Sequence, residues 1–118
     1  MKIVYSVMFI ILGGYLADVS YANNCTPIRF SKGSYSGEVS GVAEFSMDSG
    51  PVCYTIGVNK GQHMKVNLLA GANTRFSIVG EVDYETEYSF ITQKKNYKIL
   101  VFTSQRTPVP FDLTVTVR

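Results

Sequence analysis

The 118-residue sequence has no tryptophan, one histidine and two cysteines, and its 11 Lys and Arg against 9 Asp and Glu leave a formal net charge of only +2. Each shortage excludes something. One histidine, His63, and two separated cysteines do not make a zinc-type ligand pattern, so no zinc-type metal site is expected. The near-balance of charge, without a Lys/Arg run interleaved with aromatics, argues against nucleic acid as a partner. Serines are plentiful, but none lies in a strand–turn–helix nucleophile elbow, and no helix follows a glycine-rich turn to cradle a phosphate. His63 falls just past a turn on the polar side of its segment, the place of a solvated residue rather than a general base. The chain therefore reads as a binding protein, with no catalytic residues and no cofactor.

No apolar run is long enough for a comfortable transmembrane helix. The longest, Ile3 to Leu12, follows Lys2 and leads to Ser20-Tyr21-Ala22, small residues where a signal peptidase cuts. Residues 1–22 are expected to be a signal peptide and 23–118 a single domain, exported to the periplasm or beyond the cell. Ala22-Asn23-Asn24 before Cys25 lacks the pattern of lipoprotein processing, so no stable membrane anchor is expected. Cys25 and Cys53 both fall in the exported part. An oxidising compartment favours a disulfide between them, against the competing readings of a free thiol pair or a metal site.

What the sequence has in abundance is alternation. In Cys53 to Ala70, Tyr54, Ile56 and Val58 and then Met64, Val66 and Leu68 alternate with smaller or polar residues. A period of two puts one set of side chains on each face of an extended chain. With Asn59-Lys60-Gly61-Gln62 between the halves, this stretch reads as a β-hairpin. Short strands are also expected at Ile28–Lys32, Tyr35–Met47 (bent or bulged at Gly37 and Gly41), Thr74–Val79, Tyr88–Thr92, Tyr97–Ser104 and from Phe111 onward. Asp48-Ser49-Gly50-Pro51 reads as a turn. Seven to eight strands at this spacing predict an all-β, antiparallel two-sheet β-sandwich, with a barrel as the second choice. The expected core is Phe30, Phe45, Tyr54, Ile56, Val58, Met64, Val66, Leu68, Phe76, Ile78, Phe90, Ile99, Val101, Leu113 and Val115.

Two polar clusters are candidates for contact. Glu81 to Tyr88 gathers four carboxylates and two tyrosines in an expected loop, with Asp83, Tyr84 and Glu85 at its centre. It is open to three readings: a solvated guard on a sheet edge, a dock for a basic partner, or a calcium site. Gln93 to Lys98 forms a small basic turn with Lys94 and Lys95, suited to an anionic polymer such as peptidoglycan or simply to solubility.

Ile28-Arg29-Phe30-Ser31-Lys32-Gly33, Tyr35-Ser36-Gly37-Glu38-Val39-Ser40-Gly41 and Tyr54 through Val66 with its Lys60-Gly61-Gln62 turn resemble the periplasmic inhibitors of goose-type and invertebrate-type lysozymes. The same order of elements is similar to bacterial pre-peptidase C-terminal domains, and the Tyr97-Lys-Ile-Leu-Val and Phe111-Asp-Leu-Thr-Val-Thr-Val endings fit both. The resemblance covers most of the mature chain. It implies an eight-stranded sandwich that occludes the cleft of a lysozyme or other cell-wall hydrolase, or, in the alternative, a structural or glycan-binding module without inhibitory activity. The inhibitors' loop carries Ser-Gly, one variable residue and Tyr directly before the penultimate strand. In this chain that position reads Lys94-Lys95-Asn96-Tyr97, so Tyr97 matches and two lysines replace Ser-Gly. Tyr97, Lys94 and Lys95 are thus the expected partner-binding residues, with Asp83, Tyr84 and Glu85 as a second surface.

Overall fold

The computed structural model describes residues 25–45 and 50–118. The expected signal peptide and the Asp48-Ser49 half of the expected turn lie outside them. Alternation dominates the described chain and produces nine strands: β1 (Thr26–Pro27), β2 (Ser36–Ala43), β3 (Val52–Gly57), β4 (His63–Ala70), β5 (Thr74–Ile78), β6 (Val82–Glu85), β7 (Glu87–Ile91), β8 (Asn96–Thr103) and β9 (Val109–Val117). They form a five-stranded sheet in the order β1-β3-β8-β5-β6 and a four-stranded sheet in the order β2-β9-β4-β7. Every pairing of these strands is antiparallel except the short parallel contact of β1 with β3.

The two sheets face each other across the core, as a sandwich requires. From the five-stranded sheet come Tyr54, Ile56, Phe76, Ile78, Ile99 and Val101; from the other come Met64, Val66, Leu68, Leu113 and Val115, all of them buried. Each such side chain contributes roughly 1.5–3 kcal/mol when fully removed from water. Phe30, Val58 and Phe90 are half-buried and pack against this cluster from its margin. Phe45, also expected inside, is half-buried and lies under the Arg106 guanidinium, 4.8 Å from its ring centroid.

Four expectations are corrected. The stretch from Cys53 to Ala70 is not a hairpin. β3 pairs with β1 and β8, whereas β4 pairs with β7 and β9, so residues 58–62 arch from one sheet to the other. Both strands do turn their apolar sides to one core, but from opposite sheets. The acidic segment is not a loop: it forms β6 and the start of β7, switching sheets around Thr86, whose carbonyl accepts from Leu68 N at 2.8 Å. The expected strand at Ile28–Lys32 is replaced by β1 just before it, where the Cys25–Cys53 disulfide fixes the chain beside β3. With β1 standing in for an expected strand and β6 added, the count is nine.

The fourth correction concerns the glycines of β2. Its register with β9 runs without a shift from Ser36↔Thr116 to Ala43↔Val109, so there is no bulge. Aromatic rings lie against the inner face instead. A Cβ on Gly37 would come within 2.6 Å of the Phe30 ring, and one on Gly41 within 2.7 Å of Phe111 Cζ and 2.9 Å of the Tyr54 hydroxyl. Glycine is there because a ring approaches the backbone closely.

The disulfide joins residues 28 apart in sequence. In the chain-entropy picture a closed loop of that length is worth about 3–4 kcal/mol. It ties the first described residue to β3, beside the edge of the five-stranded sheet.

Candidate binding surface

One end of the sandwich is built from two arches lying side by side. Residues 58–62 carry the chain from β3 to β4, and residues 92–95 carry it from β7 to β8; both cross between the sheets. An arch leaves its backbone groups without ladder partners, and here each arch supplies the other's. Val58 N donates to Lys95 O at 2.8 Å, Gly61 N to Thr92 O at 2.8 Å, and Thr92 N to Gln62 O at 2.8 Å. Thr92, 1% exposed, completes the brace: its hydroxyl donates to Asn59 O at 2.6 Å and accepts from Gln62 N at 2.9 Å. Gly61, with φ of 84°, takes the left-handed conformation that closes the first arch.

The family likeness sets Tyr97 against a partner; the structure places it in the core, 3% exposed. Its ring meets Phe90 edge-to-face, with centroids 5.2 Å apart. Its hydroxyl accepts from Gln93 N at 2.8 Å and Lys94 N at 3.2 Å. Tyr97 shares the inward parity of Ile99 and Val101 in β8, so alternation itself turns the phenol inside and under the loop. Tyr97 holds the loop's shape from below; it has no contact area of its own to offer.

Lys94 and Lys95 are exposed at the tip. The Lys94 ammonium lies 5.1 Å from the Tyr97 ring centroid, a cation–π distance, and close beside Gly80 in the β5–β6 turn. Lys95 has no ion-pair partner among the described residues. Lys60, at the summit of the neighbouring arch, is exposed as well. Sequence reading misses this third lysine as part of the surface, because nothing local links residue 60 to residue 95.

Asp83, Tyr84 and Glu85 are not brought to this tip. They run along β6, the outer edge of the five-stranded sheet. Tyr84 has φ of 57° and is 64% exposed, and its ring tilts over Phe102 on the outer face of the sheet at 5.5 Å. Its N–H donates to Ser77 Oγ at 3.1 Å. Glu81 accepts from the Tyr88 hydroxyl at 2.8 Å, and that bond, with lesser help from desolvation and from the charges of Glu81 and Glu85, pushes the Tyr88 phenol above its ordinary pKa. Lys65 and Glu87 form an exposed ion pair at 2.9 Å across β4 and β7. Among the described residues no three His, Cys, Asp or Glu side chains gather to hold a metal ion.

No family model and no curated protein matches this sequence. Solved structures do match. The periplasmic inhibitor of g-type lysozyme from Aeromonas hydrophila is 22% identical and superposes with a TM-score of 0.67, covering 80% of this chain and 96% of its own. The Salmonella Typhimurium inhibitor of g-type lysozyme is 16% identical, with a TM-score of 0.60 and coverage of 80% and 98%. A mutant of the Escherichia coli inhibitor is 18% identical, with a TM-score of 0.60 and coverage of 79% and 96%. The chain thus has the fold of the periplasmic inhibitors of g-type lysozyme.

Proposed function

We propose that this chain is an exported, periplasmic binding protein that inhibits a g-type lysozyme by placing the double arch in the enzyme's cleft, and that it is not itself an enzyme. The observation that carries the reading is the braced loop pair at one end of a sandwich shared with proteins described as lysozyme inhibitors. A loop that must enter a cleft gains affinity when it is already ordered, since less entropy is lost on docking. Lys94 and Lys95 are the direct contacts in this reading, and Tyr97 sets their position from beneath. Cell-wall glycosidases work with carboxylates in their clefts, which complements a lysine-bearing tip. Asp83, Tyr84 and Glu85 form a separate surface on the sheet edge.

The test is titration of the oxidised mature protein against goose-, invertebrate- and chicken-type lysozymes acting on permeabilised cells. Stoichiometric inhibition of the goose type is expected. Charge reversal of both lysines (Lys94→Glu with Lys95→Glu) should weaken it by about a hundredfold, the order expected for close charge pairs at an interface, with thermal stability unchanged. No inhibition of any lysozyme at high excess would refute the proposal. Full potency in a well-folded double variant would move the contact away from this loop.

A further inference from the structure

A groove opens beside the double arch, between it and the segment leading into β2. Its volume is about 470 Å³, and it is lined in part by Phe30, Tyr35, Asn59, Gln62, Lys95 and Asn96. That is within the range of small-ligand sites. Tyr35 is 61% exposed, an unusual place for a large ring, and the Arg118 guanidinium lies 5.8 Å from its centroid. Gln62 spends its carbonyl oxygen on Asn59 N, at 2.8 Å, leaving its NH₂ unspent. The side chains of Asn59, Asn96 and Lys95 have no hydrogen-bond or ion-pair partner among the described residues. Three amides and an ammonium with unspent hydrogen-bonding capacity therefore meet an exposed ring in one concavity.

We propose that this groove binds an acidic oligosaccharide, with Tyr35 stacking on the apolar face of a sugar ring, Asn59, Gln62 and Asn96 bonding its hydroxyl and amide groups, and Lys95 pairing with its carboxylate. The side chains suit each part of such a ligand. A planar amide donates and accepts side by side, matching hydroxyl groups on adjacent carbons. An aromatic ring offers area at little entropic cost, and an ammonium binds a carboxylate as a point charge. The loops at this end favour an anion, since Lys60, Lys94 and Lys95 stand there against Glu81. The site does not depend on the inhibitor reading. Because Lys95 and the arch serve both, glycan and lysozyme would occupy this end of the sandwich in turn and compete for it.

The test is an NMR titration of the isotope-labelled, oxidised protein with three probes: the disaccharide of N-acetylglucosamine and N-acetylmuramic acid, neutral chitobiose, and acetate. Saturable shifts are expected at the side-chain amides of Asn59, Gln62 and Asn96. The acidic disaccharide should bind about tenfold more tightly than chitobiose, the order of one charge-assisted hydrogen bond. Lys95→Gln should erase that difference. Tyr35→Ala should weaken both sugars while leaving lysozyme inhibition unchanged, which separates this site from the arch contact. The proposal is overturned if acetate alone reproduces the shifts, if both sugars bind equally, or if no sugar gives a saturable shift.

Discussion

Replacing Thr92 by valine keeps the shape of the side chain and removes its hydroxyl. That hydroxyl donates to Asn59 O and accepts from Gln62 N, so the change strands one acceptor and one donor in the seam between the arches. Leaving a buried polar group unsatisfied costs about 1–3 kcal/mol. Thr92 is 1% exposed, but its partners sit at the end of the sandwich, where water reaches part of the seam. The expected loss is therefore about 1–2 kcal/mol in total. For a domain of this size each kcal/mol lowers Tm by about 4–8 °C. Urea and thermal unfolding would measure the loss, with Thr92→Ser as the control that keeps the hydroxyl. Amide hydrogen exchange at Gln62 should accelerate in the valine variant and not in the serine one. Lysozyme inhibition should fall further than stability does, because the loosened arches must be reordered on binding. A valine variant within about 0.5 kcal/mol of the parent, with Gln62 still protected, would refute the claim that this threonine clasps the arches together.

Two further outcomes follow from the packing and the electrostatics. Gly41→Ala should destabilise by about 1–3 kcal/mol, the usual cost of overpacking, because its Cβ would meet Phe111 Cζ at 2.7 Å; denaturant midpoints near those of the parent would show that the Phe111 ring yields freely. The Tyr88 phenol is raised chiefly by its hydrogen bond to Glu81, so the folded state favours the protonated form. Its contribution to stability is present below the ordinary tyrosine pKa of about 10 and is lost as pH rises through the folded value. Following the Tyr88 ring carbon by NMR should show a late titration that Glu81→Gln brings back toward the ordinary value. An identical titration in both proteins would remove Glu81 as the cause.

Part of the candidate site is legible in the amino-acid sequence alone. The lysines of 94–95 are exposed at a sheet-to-sheet connection, and His63 is exposed on the polar side of its strand, as a period of two requires. Tyr97 shows the limit of family likeness. A matched tyrosine beside a loop suggests a contact, yet its parity in β8 sends it inward to bond Gln93 N and Lys94 N. Alternation counted strictly back from Ile99 and Val101 gives the inward placement. Tyr35, Asn59 and Asn96 cannot be grouped from the chain alone, since they come from two connections and the start of β8, all distant in sequence.

Sequence by itself determined the class of this protein and the inward face of its strands. Tyr54, Ile56, Met64, Val66, Leu68, Leu113 and Val115 are buried because strict alternation leaves them no other half-buried arrangement. The tertiary structure decided which strand lies beside which. A period of two specifies a face and says nothing of the neighbour, so the same eighteen residues from Cys53 to Ala70 suit a hairpin or an arch between sheets. The choice is made by long-range pairing: β8 takes one edge of β3, and β9 and β7 take the two edges of β4. Only then do residues 58–62 and 92–95 become adjacent, clasped by Thr92, and form the candidate surface.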